Sequence, residues 1–199
     1  MKQPSFRKNI VTLCFITLLF SGCASVAPPA ENTAVSWQTR QASLANLQSW
    51  QLSGKIGVVS KTDSGSMSVE WQQTQNRYTI HLMPPLNAGA MTLTGDDRGI
   101  TLTTSDGKVS HANSPSELLS NNGGPALPVQ NLRYWIRGLP APGAANPQFD
   151  AYGRLSSLTQ AGWQVTYLSY THALARDLPS RITLSSPELK IKMVIYQWE

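Results

Sequence analysis

Between Trp50 and His111 the chain repeats one pattern, apolar residues at every second position, interrupted only by turn formers. Trp50, Leu52, Ile56 and Val58 alternate with Gln51, Ser53, Lys55 and Gly57, and Met67, Val69 and Trp71 alternate with Ser68, Glu70 and Gln72. Tyr78, Ile80 and Leu82 follow, then Met91 and Leu93, then Ile100 and Leu102. Successive side chains of a strand point to opposite faces, so each run buries one face and wets the other. Lys61-Thr62-Asp63-Ser64-Gly65-Ser66, Gly95-Asp96-Asp97-Arg98-Gly99 and Ser105-Asp106-Gly107-Lys108, the last leading into Val109-Ser110-His111, are turn sequences. The runs they join are therefore antiparallel hairpins, about six strands in succession.

Helical signals flank and interrupt this sheet. Ser36 is placed to cap a short amphipathic helix carrying Trp37, Leu44 and Leu47. Ser114-Pro115-Ser116-Glu117 has the form of a capping box with proline at the first helical position, and the helix it starts ends near Asn122-Gly123. Leu132, Trp135, Ile136 and Leu139 fall at i, i+3, i+4 and i+7, one apolar stripe on a helix closed by Gly138 and Pro140, with Arg133 and Arg137 on the other side. Ala141 to Pro147 reads as a loop. Strands resume at Arg154 to Thr159, Trp163 to Tyr170, Arg181 to Ser185 and Leu189 to Trp198. The fold class is mainly β with a helical insertion. About ten strands exceed what one open, twisted sheet holds comfortably, so the sheet is expected to curl toward a barrel or sandwich, with the helices covering an apolar face or mouth.

The first 22 residues set the compartment. Lys2, Arg7 and Lys8 precede an apolar run from Ile10 to Phe20 that is too short to cross a bilayer core, which needs roughly twenty residues. Basic head, apolar core and small residues make a secretory leader. Leu19-Phe20-Ser21-Gly22-Cys23 resembles the bacterial lipobox, in which the cysteine is lipidated and becomes the first residue. Of the 16 Lys and Arg, three leave with the leader, so 13 face 11 Asp and Glu and the mature chain is about +2. With no run of five basic residues, a nucleic-acid partner is not expected. Cys14 leaves with the leader and Cys23 carries lipid, so no thiol remains for a disulfide, metal cluster or nucleophile. Residues 23–35, marked by Pro28-Pro29, read as a flexible tether, and residues 36–199 as a single domain.

The lipobox, the early helix with Trp37, Trp71-Gln72-Gln73-Thr74, the Pro85-Leu86 corner, Leu132-Arg133-Tyr134-Trp135-Ile136-Arg137-Gly138-Leu139-Pro140 and Gln160-Ala161-Gly162-Trp163-Gln164-Val165 together resemble the LolB family. The resemblance covers nearly the whole mature chain. It implies an incomplete antiparallel barrel of eleven strands with a helical lid over an apolar cavity for acyl chains. It also implies an outer-membrane receptor, lipid-anchored and facing the periplasm, that takes lipoproteins from the periplasmic carrier LolA and inserts them into the inner leaflet. Leu86 matches the protruding leucine with which the family delivers its cargo. Trp71, Leu82, Leu132, Trp135, Ile136, Leu139 and Trp163 become the candidates for lining or lidding the acyl cavity, and a monomer is expected.

Read from the residues alone, the alternating faces favour a filled core, and only the family resemblance turns the reading toward a cavity. Pro84 and Pro85 end a strand and Asn87-Ala88-Gly89 forms a turn, which leaves Leu86 at a loop tip. Ser105 and Lys108 have the spacing of a Ser-x-x-Lys nucleophile pair but lie in a hairpin turn without its companion motifs. His81, His111 and His172 are far apart on strand or loop positions and are expected to face solvent, so neither a metal site nor any cofactor is indicated. Asp96-Asp97 suits a turn better than a catalytic dyad. No enzymatic constellation emerges. An envelope lipoprotein with a structural or assembly role, and an outer-membrane lipid hydrolase, remain the other classes at this point.

Overall fold

The computed structural model describes residues 33–61, 64–87, 89–96, 98–122 and 127–199. The leader, Cys23 and most of the expected tether lie outside them. Strands β1 (Ser49–Ser60), β2 (Ser64–Thr74), β3 (Arg77–Met83), β4 (Met91–Asp96), β5 (Gly99–Thr104) and β6 (Val109–Ala112) form one antiparallel meander. A second comprises β7 (Asn146–Phe149), β8 (Leu155–Gln160), β9 (Trp163–Ala173), β10 (Arg176–Ser185) and β11 (Leu189–Trp198). Pairing of β1 with β11 fuses them into one 11-stranded sheet, ordered β6-β5-β4-β3-β2-β1-β11-β10-β9-β8-β7. The first and last strands are thus central. β6 and β7 are the two edges, and the sheet does not close.

Alternation decides which face is inside. Leu52, Val69, Trp71, Ile80, Leu82, Leu93 and Leu102 from the first meander join Leu158, Val165, Leu184, Ile191 and Met193 from the second in one buried cluster. Among the described residues three helices complete it: α1 (Trp37–Ala45) through Leu44, α2 (Pro115–Asn121) through Leu118 and Leu119, and α3 (Val129–Trp135) through Val129, Leu132 and Trp135. In sequence α2 and α3 bridge the two open edges. In space they cover the inner face. At the β1–β11 seam the register shifts between Ser53 and Gly54, and a Cβ at Gly54 would run into the Val194 carbonyl oxygen. Only glycine permits this approach, and such a bulge bends and twists the paired strands where the two halves meet.

The connections sort into two rims. One rim carries the β1–β2, β3–β4, β5–β6, β8–β9 and β10–β11 turns; the opposite rim carries the β2–β3, β4–β5, β7–β8 and β9–β10 turns, the start of β1 and the end of β11. Ser36 caps α1 by accepting from the Thr39 N–H at 3.3 Å, and Ser114 caps α2 by accepting from the Glu117 N–H at 3.4 Å.

Several local expectations change. The segment read as a loop at Ala141 to Pro147 runs into β7, whose Pro147 is tolerated because an edge strand need not donate outward. Strand β10 begins at Arg176, earlier than expected, with Pro179 inside it and register shifts on either side of Arg181 that absorb the missing donor. α1 ends at Ala45, so Leu47 lies beyond the helix, although it is still buried. Arg137 does not share a solvent side with Arg133. The chain turns out of α3 after Trp135 and points Arg137 inward, leaving it 8% exposed.

Candidate functional site

The expected stripe faces inward, with Leu132 and Trp135 on α3 and Ile136 and Leu139 in the turn that follows it. Leu132 is 2% exposed, Trp135 and Ile136 are fully buried, and Leu139 is 4% exposed. The helix stops because Gly138 takes the left-handed conformation, φ 80°, after which Leu139 N–H donates back to the Tyr134 carbonyl at 3.1 Å. Trp71 and Leu82, each 1% exposed, belong to the same cluster, and half-buried Trp163 packs on it with its ring 6.4 Å from that of Trp135. The structure therefore brings all seven candidates to one interior, with α3 held down on the inner face of the sheet.

A polar latch accompanies the apolar contact. The Trp135 indole N–H donates to the Gln160 side-chain oxygen at 2.9 Å, which also accepts from the Ala141 N–H at 2.9 Å. The Gln160 amide donates in turn to the Ala141 carbonyl at 2.8 Å. The Tyr167 hydroxyl donates to the Trp135 carbonyl at 3.0 Å, and burial raises its pKa far beyond the ordinary tyrosine range, so it stays a donor at every physiological pH. Both ends of the Trp135 residue are thus tied to β8 and β9. Each such buried bond contributes about 0.5–1.5 kcal/mol, but removing one partner costs more because the other is left dry.

A second fastening joins α3 to α1. Arg137 donates to the carbonyls of Leu44 at 3.3 Å and Leu47 at 2.7 Å, and to that of Arg133 at 2.9 Å. The Leu44 and Leu47 carbonyls lie at and just beyond the end of α1, where no i+4 helical donor remains, although Leu44 also accepts from the Leu47 N–H at 3.1 Å. Burial lowers the Arg137 pKa, yet the group stays cationic at physiological pH. α1 is anchored on its other side by Arg40, whose guanidinium lies 3.3 Å from the Asp177 carboxylate. Arg154 lies 3.8 Å from the same carboxylate and 2.7 Å from Asp150. His172 also touches Asp177, at 3.4 Å, so this histidine is half-buried in a charge cluster and not simply facing solvent.

Leu86 sits on the other rim, in a short 3-10 turn (Pro85–Asn87) that begins after β3 ends at Met83. It is 100% exposed and holds φ 59°, ψ 19°, a left-handed conformation that costs a leucine of order 1 kcal/mol. An apolar side chain wholly in water on a strained backbone is a feature the fold itself does not require.

Other candidates resolve simply. Ser105 and Lys108 lie in the β5–β6 turn, both exposed. His81 bonds the Thr92 hydroxyl and His111 the Thr101 hydroxyl across neighbouring strands, each at 3.0 Å. Asp96 pairs with Arg98 at 2.8 Å, while Asp97 lies outside the described residues. Tyr167 and Asp177 carry no mark in the sequence reading, and Arg137 and Gln160, although named there, are not expected to point inward. Period two would have found Gln160, since Leu158 is inward and Gln160 shares its face.

Residues 48–198 match the family model for LolB, described as outer membrane lipoprotein LolB. An outer-membrane lipoprotein LolB from Pseudomonas putida strain F1 is 38% identical over 199 residues, covering 98% of this chain and 97% of that protein. One from Stutzerimonas stutzeri strain A1501 is 38% identical over 201 residues with the same coverage. Among solved structures, a LolA superfamily protein from Nitrosomonas europaea superposes with a TM-score of 0.53 at 10% identity, over 83% of this chain and 94% of that one. A DUF1329 family protein from Desulfovibrio piger gives 0.51 at 8% identity, over 82% and 90%. The open 11-stranded sheet with its helices thus shares its fold with these two structures.

Proposed function

We propose, from the premise that this chain belongs to the LolB family, that it is the outer-membrane receptor for lipoproteins. It accepts them from the periplasmic carrier LolA, holds their acyl chains between α3 and the inner face of the sheet, and releases them into the outer membrane. Residues 1–22 are its leader, Cys23 carries the lipid that anchors it to the outer membrane facing the periplasm, and residues 23–35 tether the single domain 36–199.

The observation that carries this reading is the inward stripe of α3, held by a small number of identifiable polar bonds over a continuous apolar interior. A sixteen-carbon acyl chain resists exposure to water by about 12 kcal/mol, at roughly 0.8 kcal/mol per CH₂. Receiving it requires apolar surface of similar extent, which lifting α3 uncovers at Trp71, Leu82, Leu132, Trp135, Ile136, Leu139 and Trp163. On this reading α3 is a lid in its closed position, which cargo must displace. With no phosphate-binding loop in the sequence, transfer runs downhill by relative affinity and needs no catalytic chemistry.

Leu86 then serves the exit. Its burial in lipid contributes only about 1.5–3 kcal/mol, too little to anchor the protein but enough to bring this rim into contact with the bilayer. The test is reconstitution. Liposomes bearing the lipidated chain should accumulate a lipoprotein supplied on its carrier, and bare liposomes should not; equal accumulation on both would contradict the assignment. An envelope lipoprotein with a filled core would share the fully buried Trp135, and that alternative predicts no accumulation either.

A further inference from the structure

On the rim opposite Leu86, two neighbouring polar pockets share Asn76 and Arg133. One is bounded by Trp50, Gln73, Tyr134 and Arg137, the other by Tyr78, Asn113 and Gln130, and each encloses about 360 Å³. Three donors along this groove are buried and have no hydrogen-bond partner among the described residues: the Trp50 indole N–H, the Tyr78 hydroxyl and the Arg133 Nε–H. Trp50 is 4% exposed and Tyr78 8%. Burial pushes the Tyr78 pKa up to about 12, so the phenol keeps its proton. Buried donors are almost always paired in folded proteins, and an orphan costs free energy unless something outside the chain completes it.

Charge points the same way. Arg133 and Arg137 both lie against the Tyr134 ring, their guanidinium carbons 5.0 and 5.5 Å from its centroid. Among the described residues neither has a carboxylate within ion-pair distance. The acid that lines the groove, Asp96, is already neutralised by Arg98. The groove thus presents donors and positive charge, which suit a ligand rich in acceptors and negative in charge. Arg133 is half-buried, and its own bond, to the Tyr134 hydroxyl at 3.3 Å, is long and readily exchanged.

We propose that this groove binds an oxyanion of the phosphate class, free or carried on a lipid headgroup, with Arg133 as its principal ligand and the Trp50 and Tyr78 donors completing the site. Arg133 exchanges Tyr134 for the anion, and Arg137 contributes charge while keeping its hold on α1. The site lies at the rim remote from Leu86 and does not depend on the acyl-transfer reading.

The Trp50 indole ¹⁵N–¹H resonance reports on it directly. The mature-length chain carrying Cys23→Ser is titrated at constant ionic strength with inorganic phosphate, and separately with dihexanoylphosphatidylglycerol below its micellar concentration; Trp50→Phe identifies the peak. The expected result is a saturable movement of that resonance, with affinity reduced about tenfold or more in Arg133→Gln and unchanged in Lys190→Gln, which removes an exposed cation beside the β10–β11 turn on the rim of Leu86. Movement with both ligands assigns the site to a headgroup, and movement with phosphate alone assigns it to a free anion. No saturable movement, an equal movement with chloride, or no effect of Arg133→Gln would overturn the site. A response to an acidic peptide but not to phosphate would also overturn it and reassign the groove to a protein partner.

Discussion

The Trp135 indole N–H lies 2.9 Å from the Gln160 side-chain oxygen, and this one bond ties the centre of the α3 stripe to the end of β8. Replacing Gln160 with leucine keeps the volume but strands two buried donors, Trp135 Nε1–H and Ala141 N–H. The expected cost is about 1–3 kcal/mol per donor left dry, read from the urea midpoint. Because the loss falls on the closed position of α3, uptake of a fluorescent acyl probe should become faster in this variant. Unchanged uptake together with lost stability would make Gln160 purely a folding residue.

Asp177 is the acceptor that Arg40 and Arg154 share. Asp177→Asn leaves Arg40 buried without a countercharge, and breaking a buried pair in this way costs about 3–5 kcal/mol. α1 should loosen first, visible as faster amide exchange from Thr39 to Leu44.

Asp150 gives a pH signature. Burial pushes its carboxyl pKa up, but backbone N–H bonds from Arg154 and Tyr152 and the Arg154 guanidinium outweigh that and hold it below the usual range. A depressed carboxylate stabilises the fold above its unfolded pKa, about 3.9, and that contribution is lost as pH falls through the lower folded value. Asp150→Asn should therefore be less stable than wild type at neutral pH, with the gap narrowing below about pH 4. A gap independent of pH would remove the charge from the explanation.

Much of this architecture was legible because period two is a strong signal when turns punctuate it. β1 to β6 were readable from Trp50 to His111, and the inward positions Trp71, Leu82 and Trp135 follow from periodicity alone. β7 was not, since a four-residue edge strand containing Pro147 has the composition of a loop. Arg137 was misread because helical spacing was extended past Trp135, whereas the helix ends there and Gly138 redirects the chain. The Asp177 cluster unites residues separated by up to 137 positions, a pairing that no local pattern encodes.

Leu86 separates delivery from folding. Leu86→Glu should change stability by no more than about 0.5 kcal/mol, since the side chain touches solvent only. Leu86→Gly should be at least as stable as wild type, because glycine adopts φ 59° without strain. Both variants should take up cargo yet fail to insert it into liposomes, the glutamate because a carboxylate cannot enter the apolar layer without a large desolvation cost. Normal insertion by Leu86→Glu would remove the leucine from the exit step.

The central claim is that the interior beneath α3 receives acyl chains from a carrier. Its most direct test is to mix the soluble Cys23→Ser chain with a purified complex of the periplasmic carrier and a lipoprotein, then separate the proteins and measure which one holds the cargo. The account predicts that most of the lipoprotein moves to this chain without nucleotide or membrane. Cargo that stays on the carrier, with the chain folded and in excess, would contradict it.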